Sequence, residues 1–276
     1  MCLTPYLDGR LAEDLHSLGL PVVGFYFAPK LWLPGTRGYR EQRRFEIPGC
    51  PHSRLEDLAV LAYSASCGVR HKSSAAVHMG SALSPAPPAW EPPPALRDFL
   101  AAGAPPVCLC FGSMDIYATE WSRQLLAALR HAVVERRAVR LLAMGSLVPE
   151  EVRAWPATLW VGAAPHAWLF PRCACVLHHA GSGTSVAAAV AGVPSVAMPV
   201  LDWLDQPYFS RWLEQNGAGI HLSRGQRSYA EIAAAVHRAT ADDGLRRGAQ
   251  KLGELLRSEA RPDEAVRVRR TRREEP

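Results

Sequence analysis

The fold of this chain is decided by residues 158–206, TLWVGAAPHAWLFPRCACVLHHAGSGTSVAAAVAGVPSVAMPVLDWLDQ. In the middle of this stretch an apolar run ends at His178 and His179, and a turn of small residues separates it from an alanine-rich segment. This order predicts a strand, a turn and a helix. A helix that begins at Gly183 or Thr184 directs its unbonded N–H groups at the turn, and glycines let an anion approach the backbone closely. The pattern favours a diphosphate site, and an ordinary βα turn without a ligand stays the alternative.

Similar segments alternate along the C-terminal two thirds of the chain. Alternation of strands and helices is typical of a parallel sheet that is covered on both faces. In such sheets ligands bind outside the carboxyl ends of the strands, where the strand order reverses. The sequence therefore predicts an α/β fold whose main part is a complete Rossmann-like, doubly wound domain. The predicted strands are residues 107–111, 139–144, 158–161, 174–178, 195–198 and 218–222, and the predicted helices are 119–136, 184–191, 205–216, 228–239 and 243–258.

The first third of the chain has a less regular pattern. Six prolines within residues 84–94 stiffen the backbone and predict an extended linker, which a short helix follows. Further upstream, residues 20–27 form an apolar run typical of a buried strand, and we expect an exposed edge there. In the polar stretch between these two segments only residues 54–63 favour a helix. We predict a partial α/β domain (1–83), a linker with a short helix (84–104), the Rossmann-like domain (105–260) and a basic tail (261–276).

The composition is typical of a globular protein. The 276 residues are 48% hydrophobic and 21% charged, which allows a sizeable buried core. Much of the net charge of +5 comes from arginines in the tail, so a solvated tail explains it better than a nucleic-acid partner. Residues 186–201 carry no charge, but glycine and proline interrupt them and they are too few to span a membrane. No secretory signal pattern is visible in the first residues, and we expect a cytoplasmic protein.

Four of the seven cysteines form the pairs Cys108/Cys110 and Cys173/Cys175. Side chains two residues apart on a strand share one face, which suits small buried hydrophobic groups in a reducing compartment. A metal site with one of the neighbouring histidines is the alternative. Structural zinc sites, however, place two to four residues between their cysteines, on turns. We therefore expect no metal and no cofactor.

Four further patterns occur in the order in which one family has them. They are Phe111-Gly112-Ser113-Met114, Pro165-His166 with Trp168-Leu169-Phe170, His178-His179-x-Gly181-x-Gly183-Thr184 with Gly192-Val193-Pro194, and Asp205-Gln206-Pro207. With these motifs, residues 105–241 resemble the nucleotide-sugar-binding half of GT-B glycosyltransferases of the UDP-glycosyltransferase type. Within that type they are most similar to the sterol and lipid glucosyltransferase branch. The resemblance implies a GT-B fold in which this half is complete and the acceptor-binding half is partial.

The resemblance also implies a donor site that needs no metal. An imidazole and a helix N-terminus stabilise the charge that grows on the leaving diphosphate. The sugar hydroxyls meet a carboxylate and an amide, and the nucleobase meets the backbone after the third strand of the domain. Ser113 and Asp205 are equally suited to cap a helix. The residues implied at the diphosphate are Ser113, His179, Gly181, Ser182, Gly183 and Thr184, those at the nucleobase are Val161 and His166, and those at the sugar are Asp205 and Gln206.

Two positions depart from the family pattern. Ala180 stands where the family usually has glycine, so its Cβ either crowds the phosphate or is tolerated by the backbone. Asp205 follows Pro199 by six residues, where the family usually has four, and this makes Asp202 a candidate substitute at the sugar.

The general base of the resembling family has no recognisable counterpart in this chain. In that family a histidine near the start of the acceptor half, oriented by an aspartate, deprotonates the acceptor hydroxyl. The four histidines upstream of the linker, His16, His52, His71 and His78, lie in no matching motif.

We expect hexose transfer from a UDP-sugar, UDP-glucose in particular, to a sterol, lipid or other apolar hydroxyl. Turnover by this chain alone should be low, because it holds only part of an acceptor domain. A noncatalytic donor-binding subunit that works with a partner chain stays open, as does peripheral association with a membrane. A sugar-nucleotide epimerase is disfavoured by the Trp168-Leu169-Phe170 and Asp205-Gln206 motifs.

Overall fold

The computed structural model describes residues 2–3, 23–26, 58–61, 76–78, 87, 89–112, 120–135, 139–145, 150–201, 205–223 and 225–259. The contacts divide the chain into two compact units. The first unit comprises residues 1–82, 203–205 and 256–276, and the second comprises 83–202 and 206–255. This division into units does not test the domain limits expected from the sequence, which remain a prediction.

The first unit contains a parallel four-stranded sheet in the order β1-β2-β3-β4. Its strands are Cys2–Leu3 (β1), Val23–Tyr26 (β2), Leu58–Leu61 (β3) and Ala76–His78 (β4). The strand expected within residues 20–27 is present as β2, but it pairs with β1 and β3 and is therefore not the edge that we expected. The helix expected at 54–63 is wrong at its centre, where β3 pairs in register with β2 and β4. A four-residue apolar run has no periodicity that separates strand from buried helix, so pairing with distant strands decides its structure.

The second unit contains a parallel six-stranded sheet. Its strands are Val107–Cys110 (β5), Leu141–Met144 (β6), Thr158–Val161 (β7), Cys175–His178 (β8), Ser195–Ala197 (β9) and Gly219–His221 (β10). The order is β10-β9-β8-β5-β6-β7, which is the doubly wound Rossmann order and reverses between β5 and β8. Every strand expected for this part of the chain is present, with ends that differ from the prediction by at most two residues.

Helices follow the strands in the second unit and continue to residue 258. They are Pro94–Ala101 (α1), Glu120–Arg130 (α2), Glu150–Arg153 (α3), His166–Leu169 (α4), Ser182–Ala191 (α5), Gln206–Gln215 (α6), Tyr229–Ala241 (α7) and Asp243–Ser258 (α8). A π-helical turn, His131–Glu135, extends α2, and a 3-10 turn, Phe170–Arg172, follows α4. The pattern did not predict α3 and α4, because a single helical turn is too short to show a periodicity. Among the described helices none is long and apolar enough to cross a membrane.

Side chains of successive strand residues enter two cores on opposite faces of the sheet, as the pleat requires. Val107 and Leu109 of β5 pack in one core with Leu129 of α2 and Ile232 of α7. On the other face the core contains Leu96 of α1, Leu169 and Phe170, and Ala188 of α5, packed with Cys108 and Cys110. The expectation of a sheet covered on both faces is confirmed.

The cysteines of the two pairs named above, Cys108, Cys110, Cys173 and Cys175, are buried thiols. Cys108 and Cys110 share one face of the sheet, as expected for two strand residues that are separated by one other residue. The same expectation is wrong for Cys173 and Cys175, which enter opposite cores. The reason is that β8 begins only at Cys175, while Cys173 ends the 3-10 turn and directs its thiol to the Leu169 carbonyl at 3.4 Å.

Candidate functional site

The loops after β5 and β8 leave the sheet side by side. Cys110 and His178 are paired at the ends of these strands, so Phe111 and His179 are the first residues beyond them. The ring centroids of Phe111 and His179 are 6.3 Å apart. Doubly wound sheets bind their ligands in the crevice where the strand order reverses. Phe111 and Gly112 after β5, and the turn after β8, flank that crevice and form the candidate site.

The turn after β8 contains a left-handed residue. Ala180 has a φ of 63° and is fully buried. Its N–H donates a hydrogen bond of 3.1 Å to Nδ1 of His178. Left-handed backbone is costly for a residue with a Cβ, which explains why the resembling family usually has glycine here. The chain therefore accommodates Ala180 in a conformation that glycine adopts more readily.

His179 is folded back over Gly181. The imidazole is 8% exposed, and a Cβ built on Gly181 would overlap its Nε2 atom. A Cβ on Gly112, in the loop after β5, would lie 3.8 Å from Cε1 of the same ring. Because the ring occupies the space of a side chain at position 181, only glycine leaves room for it. The structure thus places Nε2 of His179 beside Gly181, the N-cap residue of α5.

The site histidines are uncharged at neutral pH. Burial, together with the neighbouring His179 and His166, lowers the pKa of His178 to about 3. Burial also lowers the pKa of His179 to about 4, although the backbone of Cys110 acts in the opposite direction. An uncharged imidazole has one N–H donor and one acceptor nitrogen, and its tautomer decides which is which. The uncharged His179 ring can therefore donate a single hydrogen bond to an anion, whereas the uncharged His178 ring accepts one from the backbone.

Helix α5 begins at this turn, two residues earlier than the sequence pattern predicted. Gly181 is its N-cap, with no capping hydrogen bond from a side chain among the described residues. The first hydrogen bond within the helix runs from the Ser185 N–H to the Gly181 carbonyl, at 2.9 Å. The preceding amides and the positive end of the helix dipole therefore face the turn, which is the arrangement that binds anions. Here Ser182 is half-buried, Gly183 is exposed and Thr184 is buried.

The two residues expected at a nucleobase lie after β7. The carbonyl of Val161 accepts a hydrogen bond from the Gly145 N–H, at 3.2 Å, which ties the end of β7 to the end of β6. His166 begins α4, and its ring stacks on Phe170 with centroids 4.4 Å apart. Its Nε2 lies 3.7 Å from the Cys110 sulfur. The His166 ring is thus directed at the end of β5, and burial lowers its pKa.

The pair expected at the sugar has an additional role in the fold. Gln206 is 3% exposed, and its Oε1 accepts hydrogen bonds from the amides of Val200 (2.7 Å) and Leu201 (3.0 Å). Both lone pairs of this oxygen are therefore used by the loop after β9, and only the side-chain nitrogen remains for a sugar hydroxyl. Asp205 directly precedes α6 and is half-buried.

A buried cation that the sequence analysis missed supports the same loop. Arg227 is 6% exposed and donates hydrogen bonds to the carbonyls of Pro199, at 2.5 Å, and Leu222, at 3.1 Å. It thereby joins the segments after β9 and β10. No signal in the polar sequence around Arg227 distinguishes it from a surface arginine.

Ser113, expected at the diphosphate, and Asp202, the candidate substitute at the sugar, lie outside the described part of the chain. The histidines His16, His52 and His71, which match no base motif, also lie outside it. His78 ends β4, and its side chain is not described. Within the described ranges no three histidine, cysteine, aspartate or glutamate side chains are arranged as metal ligands.

Residues 125–270 match one protein family, described as the erythromycin biosynthesis protein CIII-like, C-terminal domain. The match covers more than half of the chain. The chain belongs to this family. The resemblance to GT-B glycosyltransferases, inferred above from four motifs, is thereby confirmed.

Curated relatives of this CIII-like chain are glycosyltransferases. The chain is 37% identical over 178 residues to O-mycaminosyltylonolide 6-deoxyallosyltransferase from Streptomyces fradiae, which covers 62% of this chain and 39% of that protein. It is 32% identical over 188 residues to sterol 3-beta-glucosyltransferase from Glomerella lagenarium, covering 64% of this chain and 12% of that protein. The chain therefore spans well under half the length of these relatives.

The solved structures similar to this CIII-like chain show its fold. The spinosyn rhamnosyltransferase SpnG has a TM-score of 0.68 and 24% identity, over 93% of this chain and 68% of that one. SpnG has been solved with thymidine diphosphate and with the spinosyn aglycone. The GT-B architecture expected from the sequence is confirmed.

Proposed function

We propose that this chain binds the donor of a glycosyl transfer, and that the reaction moves a hexose from a UDP-sugar to a hydroxyl of a sterol, lipid or other apolar acceptor. The observation that carries the proposal is the position of His179, folded over Gly181 at the N-terminus of α5 and at the reversal of the strand order. A diphosphate at this place would meet helix amides, the helix dipole and an imidazole. No metal is needed for that contact.

The chemistry that this site supports is stabilisation of the leaving diphosphate. The acceptor oxygen attacks the anomeric carbon, the bond from that carbon to the diphosphate oxygen breaks, and the acceptor proton passes to a base. Negative charge grows on the leaving diphosphate during this step, and donors already in place stabilise it most effectively. Of the residues described here, His179 and the first turn of α5 are suited to that role, and Ser182, Gly183 and Thr184 supply the amides.

The donor is proposed to carry uridine and glucose. The glucose is supported by the likeness to a sterol 3-beta-glucosyltransferase, and the uridine by the motifs that resemble UDP-glycosyltransferases. The likeness to a 6-deoxyallosyltransferase, and the thymidine diphosphate bound by SpnG, make thymidine diphosphate sugars the competing class. Val161 and His166 would lie on the nucleobase side of the site, and the Asp205-Gln206 pair on the sugar side.

Titration calorimetry with UDP and with thymidine diphosphate, without added metal, tests donor binding. We expect heat of binding from at least one of the two at millimolar concentration or below, and a stronger response to UDP. The absence of any heat of binding with both nucleotides would overturn the proposal. Tighter binding of thymidine diphosphate would keep the donor site and replace the uridine assignment.

A noncatalytic donor-binding subunit is the second candidate function. It is supported by the absence of a family-like base motif around the histidines of the first 83 residues. Incubation with UDP-glucose and a panel of sterols, lipids and macrolide aglycones, followed by mass spectrometry, separates the two candidates. Glycoside formation supports the enzyme, while donor binding without product in any combination supports the subunit.

The surroundings in which the protein works are also proposed. A cytoplasmic location is supported by the four buried cysteine thiols, which suit a reducing compartment. An apolar or lipid acceptor would bring the protein to a membrane surface, and a partner chain would supply the acceptor domain. No nucleic-acid partner is proposed. Fractionation of cells that express the tagged protein tests the location.

A further inference from the structure

His178 is the strand residue before His179, and its ring makes a contact that the proposed function does not use. The residue has no exposed surface. Its Nδ1 accepts the Ala180 N–H at 3.1 Å, and its Nε2 is buried without a hydrogen-bond partner among the described residues. A ring enclosed in this way does not reach a ligand in the crevice. What it does contact is the backbone of the turn.

The acceptor role fixes the tautomer of His178. Because Nδ1 accepts the Ala180 N–H, the proton of the neutral ring is on Nε2. Burial and the two neighbouring histidines keep the pKa of the ring at about 3, so Nδ1 retains its lone pair throughout the neutral range. A protonated ring would present an N–H to the Ala180 N–H and would break the contact.

Ala180 requires this contact because of its backbone conformation. A φ of 63° is unfavourable for alanine relative to a right-handed conformation. The left-handed residue reverses the chain within the turn. That reversal brings the next residue, Gly181, under the ring of His179 and begins α5 at the same point.

We propose that His178 is a positioning residue of the donor site: its Nδ1 holds Ala180 in the left-handed conformation, and Ala180 in turn holds His179 and the first turn of α5 where a diphosphate binds. The proposal rests on the proposed function, since the ligand is the donor diphosphate. The inference goes beyond the proposed function, because His178 acts without touching the ligand.

The geometry identifies the substitution that should preserve this role. The hydrogen bond joins a side-chain acceptor to the N–H two residues further on, which is the pattern that asparagine forms in Asx turns. The Oδ1 of asparagine occupies the position of Nδ1 in histidine, whereas leucine fills similar space without an acceptor. Glycine at position 180 adopts a positive φ without cost and should make the contact dispensable.

Four variants of the chain test the proposal: His178→Leu, His178→Asn, Ala180→Gly and the double variant His178→Leu/Ala180→Gly. UDP and thymidine diphosphate titrations give the affinity of the folded protein, and circular dichroism checks that each variant is folded. We expect His178→Leu to weaken nucleotide binding about tenfold. A tenfold loss corresponds to roughly one hydrogen bond, here the one that stabilises the turn in the conformation that binds the diphosphate. The nucleotide affinity of His178→Asn should stay within about twofold of the wild-type value. The affinity of the double variant should stay within about twofold of that of Ala180→Gly.

A purely structural role of His178 predicts a different pattern. In that case His178→Leu lowers the melting temperature while the folded fraction binds like the wild type, or His178→Asn is as impaired as His178→Leu. Either result overturns the proposal.

Hydrogen exchange at the Ala180 amide gives a readout that needs no ligand. We expect slow exchange in the wild type and in His178→Asn, and faster exchange in His178→Leu. Equal exchange in all three overturns the positioning role. If the wild type shows the expected exchange but binds neither nucleotide, the proposed function fails and the positioning of the turn stands.

Discussion

At the residue scale, the candidate donor site depends on a close approach between the His179 ring and the α-carbon of Gly181. The approach has two consequences. It fixes the ring at the start of α5, and it leaves no room for a side chain at position 181 unless the ring moves. The two residues therefore act as one unit, and substitutions at either should be felt at the other.

The first prediction concerns His179. Replacing it by alanine should weaken nucleotide diphosphate binding by about 1.5–3 kcal/mol, the usual size of a hydrogen bond to a charged group. We expect a larger loss than that from His178→Ala, which changes the site only through the turn. Calorimetric titration measures both. His237→Ala, at an exposed position on α7, is the matched control and should bind like the wild type. Equal losses from His178→Ala and His179→Ala would contradict the assignment of the contacting ring.

The second prediction concerns Gly181. The three atoms nearest to a Cβ at this position all belong to the His179 ring, so Gly181→Ala should displace that ring and leave the fold intact. Nucleotide affinity should fall about as far as in His179→Ala, and the double variant should lose no more than either single variant. A double-variant cycle measures this coupling. Additive losses would show that Gly181 acts through the ligand alone.

At the element scale, a second close approach joins two segments of the Rossmann-like unit. Gly248, within α8, faces the backbone of Gly217. Gly217 lies two residues after the end of α6 and has a φ of 64°. A Cβ on Gly248 would overlap the Gly217 carbonyl. Backbone atoms yield far less readily than the end of a side chain, so the helix itself would have to move.

The third prediction follows from that contact. Gly248→Ala should lower the free energy of unfolding by about 1–3 kcal/mol, the cost of overpacking. Gly183→Ala is the matched control, since it is also a helical glycine but has no atom within 4 Å of the added Cβ. That variant should raise the free energy of unfolding by about 0.5–1 kcal/mol through helix propensity. Urea denaturation compares the two, and effects of the same sign would refute the packing argument.

The elements that the sequence predicted are those with a local signal. The apolar runs of β5 to β10 and the 3.6-residue periodicity of α7 and α8 are visible in short windows, and the structure has them where we expected. The turn at His178 and His179 was visible for the same reason. Features decided by distant partners were missed. Leu58–Leu61 is a strand because β2 and β4 flank it, and Gln206 is buried because two amides of the loop after β9 need an acceptor.

At the scale of the whole molecule, burial of neutral histidines makes stability depend on pH. The pKa of His178 (about 3) and that of His179 (about 4) lie below the ordinary value of 6.5. Below pH 6.5 the unfolded chain therefore binds protons that the folded chain does not, and the stability present above pH 6.5 is lost as the pH falls towards the folded pKa values.

The fourth prediction is the size of that loss. Between pH 7.5 and pH 5 each of these two histidines should lower the free energy of unfolding by about 2 kcal/mol. In His178→Asn the loss over this range should be smaller by about the same amount. Denaturant titrations at several pH values measure it. An unchanged pH dependence in His178→Asn would mean that the ring is not buried as a neutral base.

The central six residues of helix α5, Thr184 to Ala189, are buried in succession. A helix held in this way has no space in which to tilt, so its N-terminal end, the proposed anion site, is in place before any nucleotide arrives. Preorganisation of this kind removes a slow isomerisation from the approach of the phosphates. In a stopped-flow experiment the capture of the diphosphate at this turn should then be a single second-order event, whose observed rate rises in proportion to nucleotide concentration and does not reach a plateau.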